Sequence, residues 1–82
     1  PKLSAELLFG AARMARAAGD NAAQVRAGEQ VLGMASRLQN SQLAGMAHEV
    51  LGLAALDRGD DAVATSELDT AYRSFRSLAL KR

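Results

Sequence analysis

The stretch from Leu51 to Leu78, LGLAALDRGDDAVATSELDTAYRSFRSL, leaves a chain of this length little choice of fold. Its second half carries Ala64, Leu68, Ala71, Phe75 and Leu78 at spacings of four, three, four and three. Side chains three and four positions apart share one side of an α-helix, so this is an amphipathic helix. Before it, Val50, Leu51 and Ala54 form a second stripe, interrupted at Arg58-Gly59-Asp60-Asp61. A glycine can take the left-handed conformation that closes a helix, and an aspartate accepts hydrogen bonds from the free amides that open the next. The stretch predicts an antiparallel helical hairpin.

The rest of the chain reads the same way. Residues 3–18 place Leu3, Leu7, Ala11, Met14 and Ala18 at helical spacing, and Gly19-Asp20-Asn21 repeats the turn chemistry of Gly59-Asp60-Asp61. Asn21 and Gln24 are spaced as a capping box. A second helix over 22–38 presents Val31, Met34, Ala35 and Leu38, and Gln39-Asn40-Ser41 is a polar break in which Asn40 or Ser41 can cap the third helix. Helices over 42–57 and 62–80 complete four. At an offset of 40, Leu3 falls on Leu43, Ala12 on Gly52, Ala15 on Ala55, Gly19 on Gly59, Asp20 on Asp60, and Leu38 on Leu78. Turn and flanking apolar positions recur together, so the chain divides into repeats at about 1–40 and 41–82. The first repeat has Gln24 and Gly28 where the second has Ala64 and Leu68. Gly28 and Gly33 each cost roughly 1 kcal/mol against alanine inside a helix, so either another helix crosses closely there, the favoured reading, or the segment is loose.

Gly52 and Ala64 as small crossing residues, with Leu51, Gly59, Leu68 and Ala71 around them, resemble the tetratricopeptide repeat. The ending Ala71-x3-Phe75-x2-Leu78 is similar to the longer repeats of bacterial LuxR-type regulators and related ATPases. Two positions depart from the family pattern: Ala55 stands where a large aromatic is usual, and no proline follows near Arg76. The resemblance implies an all-α fold of four antiparallel helices, stacked as two helical hairpins. It also implies a concave face formed by Glu6, Phe9, Arg13, Arg16 and Ala17 in the first repeat, and by Met46, Glu49, Leu53, Leu56 and Asp57 in the second. Apolar anchors edged by charges are what a groove for a helix or peptide presents. Neighbouring repeats or a second copy could equally cover such a face.

Composition excludes more than it assigns. Eighty-two residues form one small helical domain or a piece of a larger protein, and the start at Pro1 fits an excised piece. A chain this size buries only about 60% of its unfolded surface. Apolar residues make up 49%, with alanine the largest part, no Trp, one Tyr and two Phe, so the core must come from close helix approach. A net charge of +1 argues against a nucleic-acid partner. Cysteine is absent, which removes disulfides, thiolate metal sites and cysteine nucleophiles. No apolar run reaches the roughly 18 residues needed to span a membrane, and no signal peptide is visible. The expectation is a cytoplasmic protein with no membrane partner.

Little in the chain resembles catalytic machinery. His48 is the only histidine, and adjacent Glu49 points about 100° away from it on a helix, so the pair reads as packing rather than a metal or catalytic site. Asp57, Asp60, Asp61, Glu67 and Asp69 lack calcium-loop spacing and surround Arg58; they read as caps and solvated charge. Ser66 and Ser74 have no histidine nearby for a triad, and no phosphate-loop motif follows Gly28 or Gly33. Basic Arg73, Arg76, Lys81 and Arg82 complement the dipole at a helix C-terminus. The expectation is a non-catalytic protein–protein interaction or scaffold module of a larger bacterial regulatory protein, without cofactor or metal. The alternative is an effector-sensing module of a transcriptional regulator, with a small ligand on the concave face. Leu3, Leu7 and Phe9 at one end and Tyr72, Phe75 and Leu78 at the other lack a polar capping helix, so a homodimer is expected of the isolated chain.

Overall fold

The computed structural model describes residues 4–80. Leu3 of the expected first helix, and Lys81 and Arg82 of the basic tail, lie outside the described residues. Four α-helices follow one another: α1 (Ala5–Ala17), α2 (Asn21–Leu38), α3 (Ser41–Asp57) and α4 (Asp61–Leu80). Each packs against the next, so neighbours alternate in direction and α1 runs parallel to α3. The molecule is a slab of 37 × 36 × 17 Å. Among the described residues α1 also touches α3, whereas α2 and α4 do not meet. The slab is therefore pinched on the side of α1 and α3, and that side is the concave one.

The three turns share one construction. Gly19 (φ 74°), Gln39 (φ 50°) and Gly59 (φ 81°) each take the left-handed conformation after a helix. The amide of the following residue then donates five residues back, Asp20 to Ala15 O (2.8 Å), Asn40 to Ala35 O (2.9 Å) and Asp60 to Ala55 O (2.9 Å). This is the Schellman closure, which satisfies carbonyls that the helix end leaves free. The same three residues open the next helix: Asp20 accepts from the Ala23 amide, Asn40 from Leu43 and Asp60 from Val63. One residue thus closes one helix and caps the next, and the turn repeats every 20 residues. The Asn21–Gln24 capping box is corrected by this arrangement. Because the closure consumes only Gly19 and Asp20, Asn21 is already helical, and its side-chain amide donates to Ala54 O of α3 at 2.7 Å instead.

Alanine dominates the interior. Buried are Ala12, Ala15, Ala27, Ala35, Ala47, Ala54, Ala55, Ala64 and Ala71, joined by Leu8 and Val31; among the described residues Val31 is the one large side chain that is fully buried. Such a core works only if helix backbones come close, and three glycines mark where they do. A Cβ on Gly28 would lie 2.8 Å from Leu51 Cδ2, one on Gly45 2.9 Å from Phe75 Cε1, and one on Gly52 2.7 Å from Leu68 Cγ. Gly52 also stands 3.2 Å, by the same measure, from the Leu68 backbone nitrogen. Val50 and Leu51 reach α2 at Gly28, so the face of α3 that meets α4 runs through Gly45 and Gly52 rather than through those two side chains. Gly33 is different, since its nearest neighbour would be the Arg37 guanidinium at 3.8 Å.

On the first helix the periodic stripe seen in the sequence is not the one that packs. Leu8, Ala12 and Ala15 face inward, while Leu7, Ala11, Met14 and Ala18 are exposed. Both stripes have helical spacing, but the small residues of the first allow α2 to approach. Leu38 is exposed for a related reason, lying at the end of α2 just before the turn, while Val31 and Ala35 are buried and Met34 is half-buried. On α4 the expected stripe is the one that packs: Ala64 and Ala71 are buried, and Leu68, Phe75 and Leu78 half-buried. Tyr72 is exposed.

These contacts fix the sign of three substitutions. Gly52→Leu should overpack the α3–α4 crossing and lower stability by roughly 1–3 kcal/mol, whereas Gly33→Ala, entering open space, should raise it by up to about 1 kcal/mol. A circular dichroism midpoint left unchanged or raised by Gly52→Leu would refute the assignment of the close crossing to Gly52. Gln39→Gly should also stabilise, by a few tenths to about 1 kcal/mol, because a side chain in the left-handed region carries strain larger than the extra freedom that glycine loses on folding. A lowered midpoint for Gln39→Gly would show that the side chain of Gln39 contributes more than the strain it carries.

Candidate functional site: a groove between the first and third helices

Parallel helices α1 and α3 leave a groove of about 630 Å³ between them on the concave side. From α1 it is lined by Glu6, Phe9, Ala12, Arg13 and Arg16; from α3 by Met46, Glu49, Val50 and Leu53; Gln24 of α2 contributes to it as well. The spacing explains the grouping. Positions 6, 9, 13 and 16 make one stripe of α1, and 46, 49, 50 and 53 make one of α3, each next to the stripe that packs the slab. Phe9, Met46, Val50 and Leu53 are half-buried, and Ala12 and Gln24 are buried. Glu6, Arg13, Arg16 and Glu49 are exposed at the rim. The result is a mainly apolar floor, with Gln24 its buried polar member, and a charged edge.

An ion pair closes one end. Arg16 donates to Asp57 through Nε at 2.8 Å and through a second guanidinium nitrogen at 3.2 Å, linking α1 to α3 directly. A smaller cavity beside it is lined by Arg16, Gly19, Asn21, Gln24 and Asp57. Of the residues expected on the concave face, Glu6, Phe9, Arg13, Arg16, Met46, Glu49 and Leu53 line the groove, and Asp57 ties off its end. Ala17 and Leu56 do not line it. Ala17 is exposed at the last position of α1. Leu56 is half exposed as the last residue but one of α3, where the floor has already given way to the turn. Sequence reasoning missed Ala12, Gln24 and Val50. Gln24 carries a visible signal, since it is a polar residue where the second repeat has buried Ala64; Val50 reads from its spacing as hairpin core.

The other polar clusters have structural duties. His48 Nδ1 meets Glu67 Oε1 at 2.9 Å and joins α3 to α4, away from the groove. Asp60 caps α4 and lies 3.6 Å from Arg58, and Asp69 pairs with Arg73 at 3.1 Å one turn along α4. Among the described residues no group of three or more His, Asp or Glu could hold a metal ion. None of the described helices is long and apolar enough to cross a membrane. No family model matches the chain, and neither a curated protein nor a solved structure is significantly similar to it.

Arg16 and Asp57 are respectively 46% and 31% exposed, so solvent screens their attraction. Asp57→Asn should therefore cost no more than about 1 kcal/mol, and the loss should shrink in high salt. Thermal melts at two ionic strengths check this; a salt-independent loss would mean the pair acts through packing.

Proposed function

We propose that the chain is a non-catalytic protein-interaction module that takes a helix or peptide of a partner protein in the groove between α1 and α3. What supports the reading most is the groove itself: Phe9, Met46, Val50 and Leu53 lie together on its floor and charges stand at its rim. Apolar anchors surrounded by polar residues are how protein interfaces gain both affinity and specificity. A helix laid in such a groove reads it through side chains three and four apart. The resemblance to tetratricopeptide repeats of bacterial LuxR-type regulators adds the proposal that the module serves a larger bacterial regulatory protein in the cytoplasm.

A second reading has its own observation. At about 630 Å³ the groove falls within the range of small-molecule sites, so an effector of a transcriptional regulator is the alternative occupant. The two differ in what a floor residue does. Leu53→Ser should abolish binding of a labelled amphipathic helical peptide, read by fluorescence anisotropy, and leave the helical circular dichroism unchanged. Undiminished peptide binding by Leu53→Ser rejects the groove as the docking site. A thermal-shift response to small molecules without any peptide binding favours the effector.

A further inference from the structure

The two ends of the groove differ in charge, and we infer that its occupant is an amphipathic partner helix lying antiparallel to α1 and α3, acidic in its first turn and basic in its last. The inference rests on the reading of the groove as a protein-interaction site. The Arg16–Asp57 pair sets the register between the two parallel helices. Arg13 lies three residues from it, so one end holds Arg13, Arg16 and Asp57, with a net positive charge. Glu49 precedes Asp57 by eight residues and Glu6 precedes Arg16 by ten, which places both carboxylates roughly 12–15 Å further along. Phe9, Met46, Val50 and Leu53 form the apolar floor of the same groove. The occupant must therefore carry an apolar stripe, with negative charge at one end and positive charge at the other.

Helix electrostatics then fix the direction. The N-terminus of a helix has a partial positive charge and favours acidic residues, while its C-terminus favours basic ones. A helix that obeys this rule matches the groove only when its first turn meets Arg13 and Arg16 and its last turn meets Glu6 and Glu49. That orientation is antiparallel to α1 and α3, the same relation that α2 and α4 have to them. About three turns cover the distance from Glu6 to Arg16. The reverse orientation sets like charges together at both ends, a juxtaposition that selects against wrong partners.

The test uses the 82-residue chain and two cross-linked helical peptides of equal helicity and identical apolar stripe. One has Glu in its first turn and Lys in its last; the other has these exchanged. Fluorescence anisotropy should show the first binding about tenfold more tightly than the second at low salt, with the difference shrinking as salt is raised. Glu49→Lys should weaken the first peptide several-fold, and a peptide whose last-turn Lys is replaced by Glu should regain that loss. Equal affinity of both peptides would overturn the polarity and leave the groove reading standing. Leu53→Ser binding either peptide as the wild type does would overturn both. If light scattering shows a dimer that Leu53→Ser converts to a monomer, the occupant is a second copy and the partner helix is rejected.

Discussion

Everything in this structure depends on how closely the helices approach. With Val31 the one large side chain fully buried among the described residues, the interior has few methyl and methylene groups to remove from water. Gly28, Gly45 and Gly52 compensate by letting a neighbouring Leu, Phe or Val side chain lie directly on helix backbone. Dispersion contacts fall off steeply with separation, so a core of alanines holds only if the backbones nearly touch. The helix-propensity cost of each glycine is offset by the contact it allows. The same constraint explains why α1 buries Leu8, Ala12 and Ala15 and leaves Leu7 and Met14 in water.

The turns supply the order that so small a core cannot. Each is two or three residues long, with one residue in the left-handed region and the next serving both helices. With so short a connection, consecutive helices have no alternative to antiparallel packing, and the register of each hairpin is settled locally. Asn21 extends the effect beyond one hairpin, because its bond to Ala54 O ties the start of α2 to the end of α3. Arg16 and Asp57, which share a small cavity with Asn21, do the same for α1 and α3. The concave side is thus fastened at the end of the groove nearest these turns.

Four helices, their turns and most of the concave face are legible in the sequence, since each rests on local spacing or turn chemistry. Glu6, Phe9, Arg13, Met46 and Leu53 can be placed because a stripe of a regular helix maps directly to one side of it. The buried side of α1 is not legible, because Leu7–Ala11–Met14 and Leu8–Ala12–Ala15 are both periodic and hydrophobicity favours the wrong one. Only the packing partner chooses between them. Gly45 is equally hidden, as a glycine in a helix reads as a weakness until the ring of Phe75 is seen against it. The 20-residue period is masked because Gln39 adopts, at some cost in strain, a conformation that the sequence marks with glycine at 19 and 59. Leu56 reads as concave because helical spacing continues past the point where the groove ends.

The distribution of large side chains gives the groove its meaning. A chain with two phenylalanines and no tryptophan would be expected to bury what it has, and Phe75 does so in part against Gly45. Phe9 packs in part against the Leu8, Val31 and Ala47 cluster, is likewise half-buried, and shares the groove floor with Met46, Val50 and Leu53. Fully burying a side chain of this size is worth about 1.5–3 kcal/mol, a substantial part of what a domain this small has in total. Folding alone does not recover that energy, because these four side chains stay only half-buried in the folded chain. Only something entering the groove can. On the proposed reading, burial of these side chains is the source of binding energy on the concave side, and the charges at its two ends set the direction of the bound helix.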